Sequence, residues 1–295
     1  MSEQNPGVVS VEWLRDHLDD ADLVIVDSTT HLQPNPPGSA TPYSLEAGRE
    51  TYTPEHIPGA IFANLLTDFA DTDAPQPWTV PSSEKFAASA GAIGIGDGVR
   101  VVVYDQHDGY WATRFWWQLR LEGFDNVAIL DGGLRAWRAA EAPLTAEIPV
   151  PTPRTFTATR RPELLRSTEQ VLEATTDADT VLVDVLATEQ YNGEATSYAR
   201  PGHIPGAISL PVFQIRDTET GKLLPVEELR KIFDDAGLLD PAVTPVTYCG
   251  GGIAATGVAH ALSLVGRSDV GVYDGSLTAW TADADLPLVV GSTPR

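Results

Sequence analysis

The chain has 295 residues, 42% of them hydrophobic and 20% charged, which suits two globular domains and excludes a disordered or fibrous protein. Its formal net charge of -22 disfavours nucleic acid and anionic membranes as partners, and an anionic substrate would need a local source of positive potential. One cysteine excludes an internal disulfide framework and a thiolate zinc cluster, and the six histidines lack metal-ligand spacing, so no metal is expected.

The first residues, MSEQNPGVVS, show neither a basic start nor an apolar run, and no stretch approaches the roughly 20 apolar residues of a membrane span. The expected location is the cytoplasm. Short Val- and Ile-rich runs then mark buried strands, first at 23–26. The Pro- and Gly-rich segment 31–48 reads as an exposed loop. A helix is expected after Pro81, a strand at 101–104, a helix over 109–123 and a strand at 127–130. The Pro- and Thr-rich stretch 148–165 lacks periodicity, as a linker would. Beyond it come strands at 181–183, 246–248 and 270–273. Helices are expected at 225–237, with Leu229, Ile232 and Phe233 on one face, and at 252–266.

The chain contains itself twice. PEHIPGAI (Pro54 to Ile61) recurs as PGHIPGAI (Pro201 to Ile208), and DGGLRAW (Asp131 to Trp137) recurs as DGSLTAW (Asp274 to Trp280). LVIVD ending at Asp27 matches VLVD ending at Asp184, and VVVYD ending at Asp105 matches VTYC ending at Cys249. Four anchors in one order imply two copies of one domain. Strands alternating with helices make each an α/β domain, a mainly parallel sheet flanked by helices. The expected bounds are 9–146 and 162–290, with 147–161 as linker.

The chemistry points to the single cysteine. Cys249 follows a strand and precedes Gly250, Gly251 and Gly252, with a helix expected from Ile253 or Ala254. A triple glycine lets the loop curl so that several backbone N–H groups face one centre, and the first helical turn adds its own free N–H groups. Such a cradle favours the thiolate and would hold an outer sulfur without a basic side chain. A ping-pong reaction would follow, with no cofactor beyond a covalent cysteine persulfide. A buried, inert thiol is the plainer alternative, since cysteine is often a core filler. Its place at the carboxyl end of a strand, where open α/β sheets build their sites, argues for function. At the matching position the first half has Asp105, so one copy would work and the other support it.

HIPGA in both halves, DGGLRAW with DGSLTAW, and the Cys249 loop together resemble the tandem-domain rhodanese family of thiosulfate and 3-mercaptopyruvate sulfurtransferases, over roughly residues 10–285. The resemblance implies two tandem rhodanese-like domains, the second catalytic. It implies a small anionic sulfur donor, and as acceptor a thiol such as thioredoxin or glutathione, or cyanide. A monomer is expected. Thiosulfate-preferring members carry basic residues after the cysteine, as in CRKGVT, whereas mercaptopyruvate-preferring members carry CGSGVT. CGGGIA follows the second pattern, with Gly251 in place of the serine. A thiosulfate-preferring member and a weakly catalytic binding or sulfur-relay module remain the alternatives. The family segment DSRAxGRYxG reads DVLATEQYNG here, so Leu186 and Gln190 stand where arginines are expected. Gln190 is therefore a possible substrate contact, and Arg200 and Arg114 are candidates for the replacement charge, each with a structural role as the other reading.

The remaining residues receive plainer roles. His56 and His203 occur in both copies, which favours fixing a turn through backbone hydrogen bonds over acting as bases. His260 is a helix-packing residue, Asp131 and Asp274 are turn formers, and Trp137 and Trp280 are core aromatics. Trp111, Trp116 and Trp117 form a core face or, in part, a cleft wall. A cysteine phosphatase would need an arginine six residues after Cys249, where Ala255 stands, and arsenate reduction would need a second cysteine.

Overall fold

A computed structural model describes residues 7–35, 43–76, 78–195 and 197–294. The chain divides into two units. The first runs to Arg161 and includes Glu219–Lys222; the second comprises Pro162–Thr218 and the residues from Leu223 onward.

In the first unit the elements are β1 (Val8–Val9), α1 (Val11–Asp16), β2 (Leu23–Asp27), β3 (Thr30–Pro34), β4 (Tyr43–Ala47), α2 (Arg49–Tyr52), β5 (Ile61–Phe62), α3 (Ser83–Ala92), β6 (Arg100–Tyr104), α4 (Tyr110–Leu121), β7 (Val127–Leu130) and α5 (Gly133–Ala139). Five strands form an all-parallel sheet in the order β1-β7-β6-β2-β5. The second unit contains β8 (Leu165–Arg166), α6 (Thr168–Ala174), β9 (Thr180–Asp184), α7 (Thr188–Tyr191), β10 (Ile208–Ser209), α8 (Val226–Asp235), β11 (Thr244–Tyr248), α9 (Ala254–Leu264), β12 (Gly271–Tyr273) and α10 (Ser276–Ala282). Its sheet is also all parallel, ordered β10-β9-β11-β12-β8. The α/β reading therefore holds in both halves. The middle strand is β6 in one sheet and β11 in the other, and these are the strands that end before Asp105 and Cys249.

Two expectations change. Segment 31–48 is not simply a loop: β3 and β4 pair antiparallel from Thr30↔Ala47 to Pro34↔Tyr43, and the residues joining them, 36–42, lie outside the described residues. The prolines and glycine concentrated in the sequence between them hid the signal of the two strands. Residues 152–161 do lack helix and strand, but they form a strap fastened to the first unit. Arg154 N–H donates to Gly91 O (2.9 Å), Thr159 N–H to Glu122 O (2.8 Å) and Arg161 N–H to Leu121 O (2.7 Å). A Cβ on Gly91 would lie 2.4 Å from Arg154 O, and one on Gly96 2.4 Å from Thr155 O, so bare glycine backbone lets the strap seat. Phe156 packs on Phe86 and Phe124, and Arg160 pairs with buried Glu122.

The repeated motifs are equivalent tertiary devices. His56 stacks on Tyr52 (4.1 Å between centroids) with Nδ1 on Tyr52 O at 2.8 Å; His203 stacks on Tyr191 (3.6 Å) with Nδ1 on Tyr191 O at 2.8 Å. Each histidine exchanges backbone hydrogen bonds with a distant residue, His56 with Thr145 and His203 with Val289. Burial pushes the His203 imidazole below its ordinary value, against the carbonyls that face it. Both histidines are fully buried and hold backbone. Trp137 and Trp280 are core residues whose Nε1–H groups donate to Pro143 O and Pro287 O, both at 2.8 Å. Trp111, Trp116 and Trp117 are likewise buried, on α4.

Asp184 ends β9 beside Tyr248 in register, with Oδ1 accepting the Leu186 N–H at 2.9 Å. Burial pushes this carboxyl up to about 7, outweighing that hydrogen bond. In the unfolded chain it ionises near its ordinary value of 3.8, so the folded form binds the extra proton between these values and loses stability as pH rises through that window. Asparagine keeps an oxygen for Leu186 and removes the ionisation. Asp184→Asn is expected to gain about 1–4 kcal/mol relative to the wild type between about pH 4 and pH 8, read by chemical denaturation at both. A difference that does not change with pH would show that the carboxyl stays charged in the fold.

Candidate active site

Cys249 leaves the carboxyl end of the central strand β11 and is 3% exposed. Its N–H donates to Ser276 Oγ at 3.2 Å. Its carbonyl accepts from Leu277 N–H at 3.0 Å, and the Gly250 carbonyl accepts from Thr278 N–H at 2.9 Å and Thr278 Oγ1–H at 2.6 Å. The start of α10 thus draws two consecutive carbonyls to itself. In a trans peptide the N–H points opposite to the preceding carbonyl, and the described chain has no cis bond. The N–H groups of Gly250 and Gly251 are therefore turned away from α10.

The loop then bends at Gly252, whose φ of +73° suits glycine and whose missing Cβ would sit 2.9 Å from Asp274 O. Helix α9 follows from Ala254, with Ile253 as its cap residue. Thr247 Oγ1–H donates to Ala255 O at 3.1 Å, and Thr256 Oγ1–H to Ile253 O at 2.6 Å, so the helix start is fixed against β11. Among the described residues no acceptor meets the N–H groups of Gly250, Gly251, Ile253 and Ala254. Backbone N–H groups without acceptors at the positive end of a helix favour an anion, and these four follow directly on Cys249 in the chain. All five predicted cradle residues, Gly250, Gly251, Gly252, Ile253 and Ala254, lie in this one loop.

The first unit shows what such a loop holds. Asp105 follows β6 as Cys249 follows β11, and its carbonyl accepts from Leu134 N–H as that of Cys249 does from Leu277. The Asp105 carboxylate is fully buried. Oδ1 accepts the N–H groups of His107 (2.8 Å) and Gly109 (3.0 Å), and Oδ2 those of Trp111 and Ala112 (both 3.0 Å). Four backbone N–H groups thus converge on one anion, which the chain itself supplies.

The candidate substrate contacts fare differently. Arg200 is a correction: its guanidinium clamps the end of α10, with Nε on Thr281 O (3.1 Å), Nη1 on Leu286 O (2.9 Å) and Nη2 on Trp280 O (3.2 Å) and Asp283 O (2.5 Å). Four of its five N–H groups serve backbone carbonyls at a helix C-terminus, where a cation is also favoured by the dipole. Arg114 takes the structural of its two readings. It is 1% exposed inside the first unit, donates to Trp78 O at 2.7 Å and stacks over Trp117. Gln190, on α7, points Nε2 at Ser197 Oγ (3.4 Å), a weak local contact. His260 is buried on α9. Among the described residues no group of three or more His, Cys, Asp and Glu side chains is arranged to hold a metal ion, and no helix is long and apolar enough to cross a membrane.

Sequence reasoning passed over Ser276, Thr278, Tyr198 and Arg216. Ser276 is fully buried at φ +47°, and its hydroxyl donates to Tyr273 O at 2.7 Å while accepting from Cys249. Its counterpart is Gly133, at φ +55°. The signal was present in the repeat, where DGGL becomes DGSL at this one residue of the turn. Tyr198 places its phenol oxygen where a Cβ on Gly250 would be, 2.0 Å away. Arg216, 8% exposed, follows the 3-10 turn Val212–Ile215 that packs on α9.

A sequence profile of the rhodanese-like domain matches residues 10–140 and 167–283. The human 3-mercaptopyruvate sulfurtransferase is 35% identical over 283 residues, covering 93% of this chain and 91% of that protein. The rat thiosulfate sulfurtransferase is 33% identical over 284 residues, with the same coverages of 93% and 91%. Among solved structures, the 3-mercaptopyruvate sulfurtransferase SseA from Escherichia coli superposes with a TM-score of 0.77 at 29% identity, covering 91% of this chain and 98% of that one.

Ser276 combines a buried hydrogen-bonded hydroxyl with a backbone conformation that disfavours side chains. Removing the hydroxyl but keeping the Cβ, in Ser276→Ala, leaves the Cys249 N–H without its acceptor and is expected to destabilise the protein by about 1–3 kcal/mol. Ser276→Gly loses the same bond but relieves the positive φ by about 1–2 kcal/mol, so it should melt above the alanine variant. Thermal unfolding of the three proteins checks this order; an alanine variant as stable as the wild type would rule out the hydroxyl as the clamp.

Proposed function

The chain belongs to the rhodanese family and is a sulfurtransferase, and we propose that the sulfur travels as a persulfide on Cys249. The contrast between the two copies carries this reading. One loop gathers four N–H groups onto the Asp105 carboxylate, while the other presents N–H groups beside a thiol that cannot itself fill the place. The outer sulfur of a persulfide, or the transferred sulfur of an incoming donor, would take the position that the carboxylate holds in the first unit.

The reaction is then ping-pong. The Cys249 thiolate attacks the sulfur of the donor, the donor departs without it, and an acceptor thiolate or cyanide removes the outer sulfur and restores the thiolate. Backbone N–H groups stabilise the anionic sulfur throughout, which lets a chain of net charge -22 handle anions without basic residues in the loop. The donor is 3-mercaptopyruvate in preference to thiosulfate, because CGGGIA has no cation to meet a dianion. Thioredoxin- or glutathione-type thiols are the acceptors. Ala255 in the place of a phosphate-clamping arginine weighs against a phosphatase.

Purified protein is incubated with 3-mercaptopyruvate or thiosulfate and its intact mass taken before and after a thiol is added. A gain of about 32 Da, one sulfur atom, is expected in the wild type, reversed by the thiol and absent from Cys249→Ser. A gain that persists in Cys249→Ser, or no gain with either donor, would overturn the persulfide reading.

A further inference from the structure

Resting on the persulfide reading, we propose that Tyr198 selects the sulfur donor: its phenol O–H, seated on the first residue of the cradle, hydrogen-bonds the carbonyl oxygen of an α-keto thiol as that oxygen becomes an enolate.

The placement is specific. With Tyr198 Oη 2.0 Å from the Cβ position of Gly250 and Cζ at 2.8 Å, any side chain at residue 250 would displace the phenol. Gly250 does not have the positive φ of Gly252, so close approach of Tyr198, not backbone conformation, is what requires glycine there. The chain just after Tyr198 is held firmly, and the contact just before it is weak. Ser197 meets Gln190, and Arg200 clamps four carbonyls at the end of α10, the helix whose start draws in the carbonyls of Cys249 and Gly250. Arg200, one of the three positions expected to touch substrate, thus anchors the chain beside the phenol. Tyr198 itself packs, half-buried, on the core of the second unit.

The two donor classes make different demands. With an α-keto thiol, the Cys249 thiolate attacks the donor sulfur and an S–S bond forms. The carbon–sulfur bond breaks, and its electron pair passes through carbon to the carbonyl oxygen. The products are the protonated persulfide, which keeps the donor's thiol proton, and an enolate that water later protonates on carbon. New charge collects on a single oxygen, where one fixed neutral donor is worth most. With thiosulfate, attack on the outer sulfur breaks the sulfur–sulfur bond and releases sulfite, whose oxygens already share the charge in the donor. One phenol gains little there.

The test compares Tyr198→Phe with the wild type by single-turnover loading of Cys249 from 3-mercaptopyruvate and from thiosulfate, followed by intact mass, with melting temperature as the control for folding. The expected result is a loss of roughly 100-fold in the loading rate from 3-mercaptopyruvate with thiosulfate loading within about twofold of wild type, the size that removal of one oxyanion donor produces. Equal losses with both donors would make Tyr198 a packing residue of the loop, and no loss with either would make it a bystander; both overturn the proposal. A wild type that loads from neither donor would instead overturn the persulfide reading itself.

Discussion

Two carbonyl oxygens, those of Cys249 and Gly250, are bound by the first N–H groups of α10, and the geometry of the site follows from this. Peptide planarity converts a constraint on carbonyls into a direction for the N–H groups that follow them. Once the carbonyls face α10, the amides that follow them face away from it. Ser276 completes the arrangement by taking the Cys249 N–H, so that this amide is engaged while those that follow it are not. The central position of β11, paired on both sides, gives this loop a rigid base.

The two halves use this arrangement in opposite ways. In the first, Asp105 satisfies its loop with an internal anion, and the polar groups are closed among themselves. In the second, a thiol replaces the carboxylate, and the N–H groups of Gly250, Gly251, Ile253 and Ala254 have no acceptor among the described residues. The persulfide chemistry proposed for Cys249 needs a place where negative charge can appear and leave again, and backbone dipoles fixed by the fold would offer this without reorganising. The overall acidity of the chain is then no obstacle, since the relevant potential is generated within a few residues of the sulfur.

The packing around the loops is shared. His56 on Tyr52 and His203 on Tyr191 secure the HIPGA turns, and the buried indoles of Trp137 and Trp280 secure the helices that follow DGG and DGS. These pairs explain why the most conspicuous motifs of the sequence are duplicated although the thiol is not: they build the domain. Arg200, the candidate replacement for the missing family arginines, has a local logic too, because its guanidinium is used within the fold, on the backbone carbonyls around the end of α10.

The two-copy α/β architecture was legible in the residues alone, because apolar runs, the repeated turns and the spacing between them are local properties that each copy states independently. The sequence also placed Cys249 before three glycines and a helix, which locates the loop. It could not decide where Arg200 and Arg114 point, since an arginine reaches far enough to serve either a pocket or a helix end, and only packing settles which. The β3–β4 pairing and the fastening of residues 152–161 depend on partners distant in the chain or on bare glycine surfaces, which carry no periodic signal. The approach of Tyr198 to Gly250, across 52 residues of chain, was likewise a decision of the tertiary structure, because a glycine in a loop looks the same in sequence whether it frees a backbone angle or makes room for a neighbour.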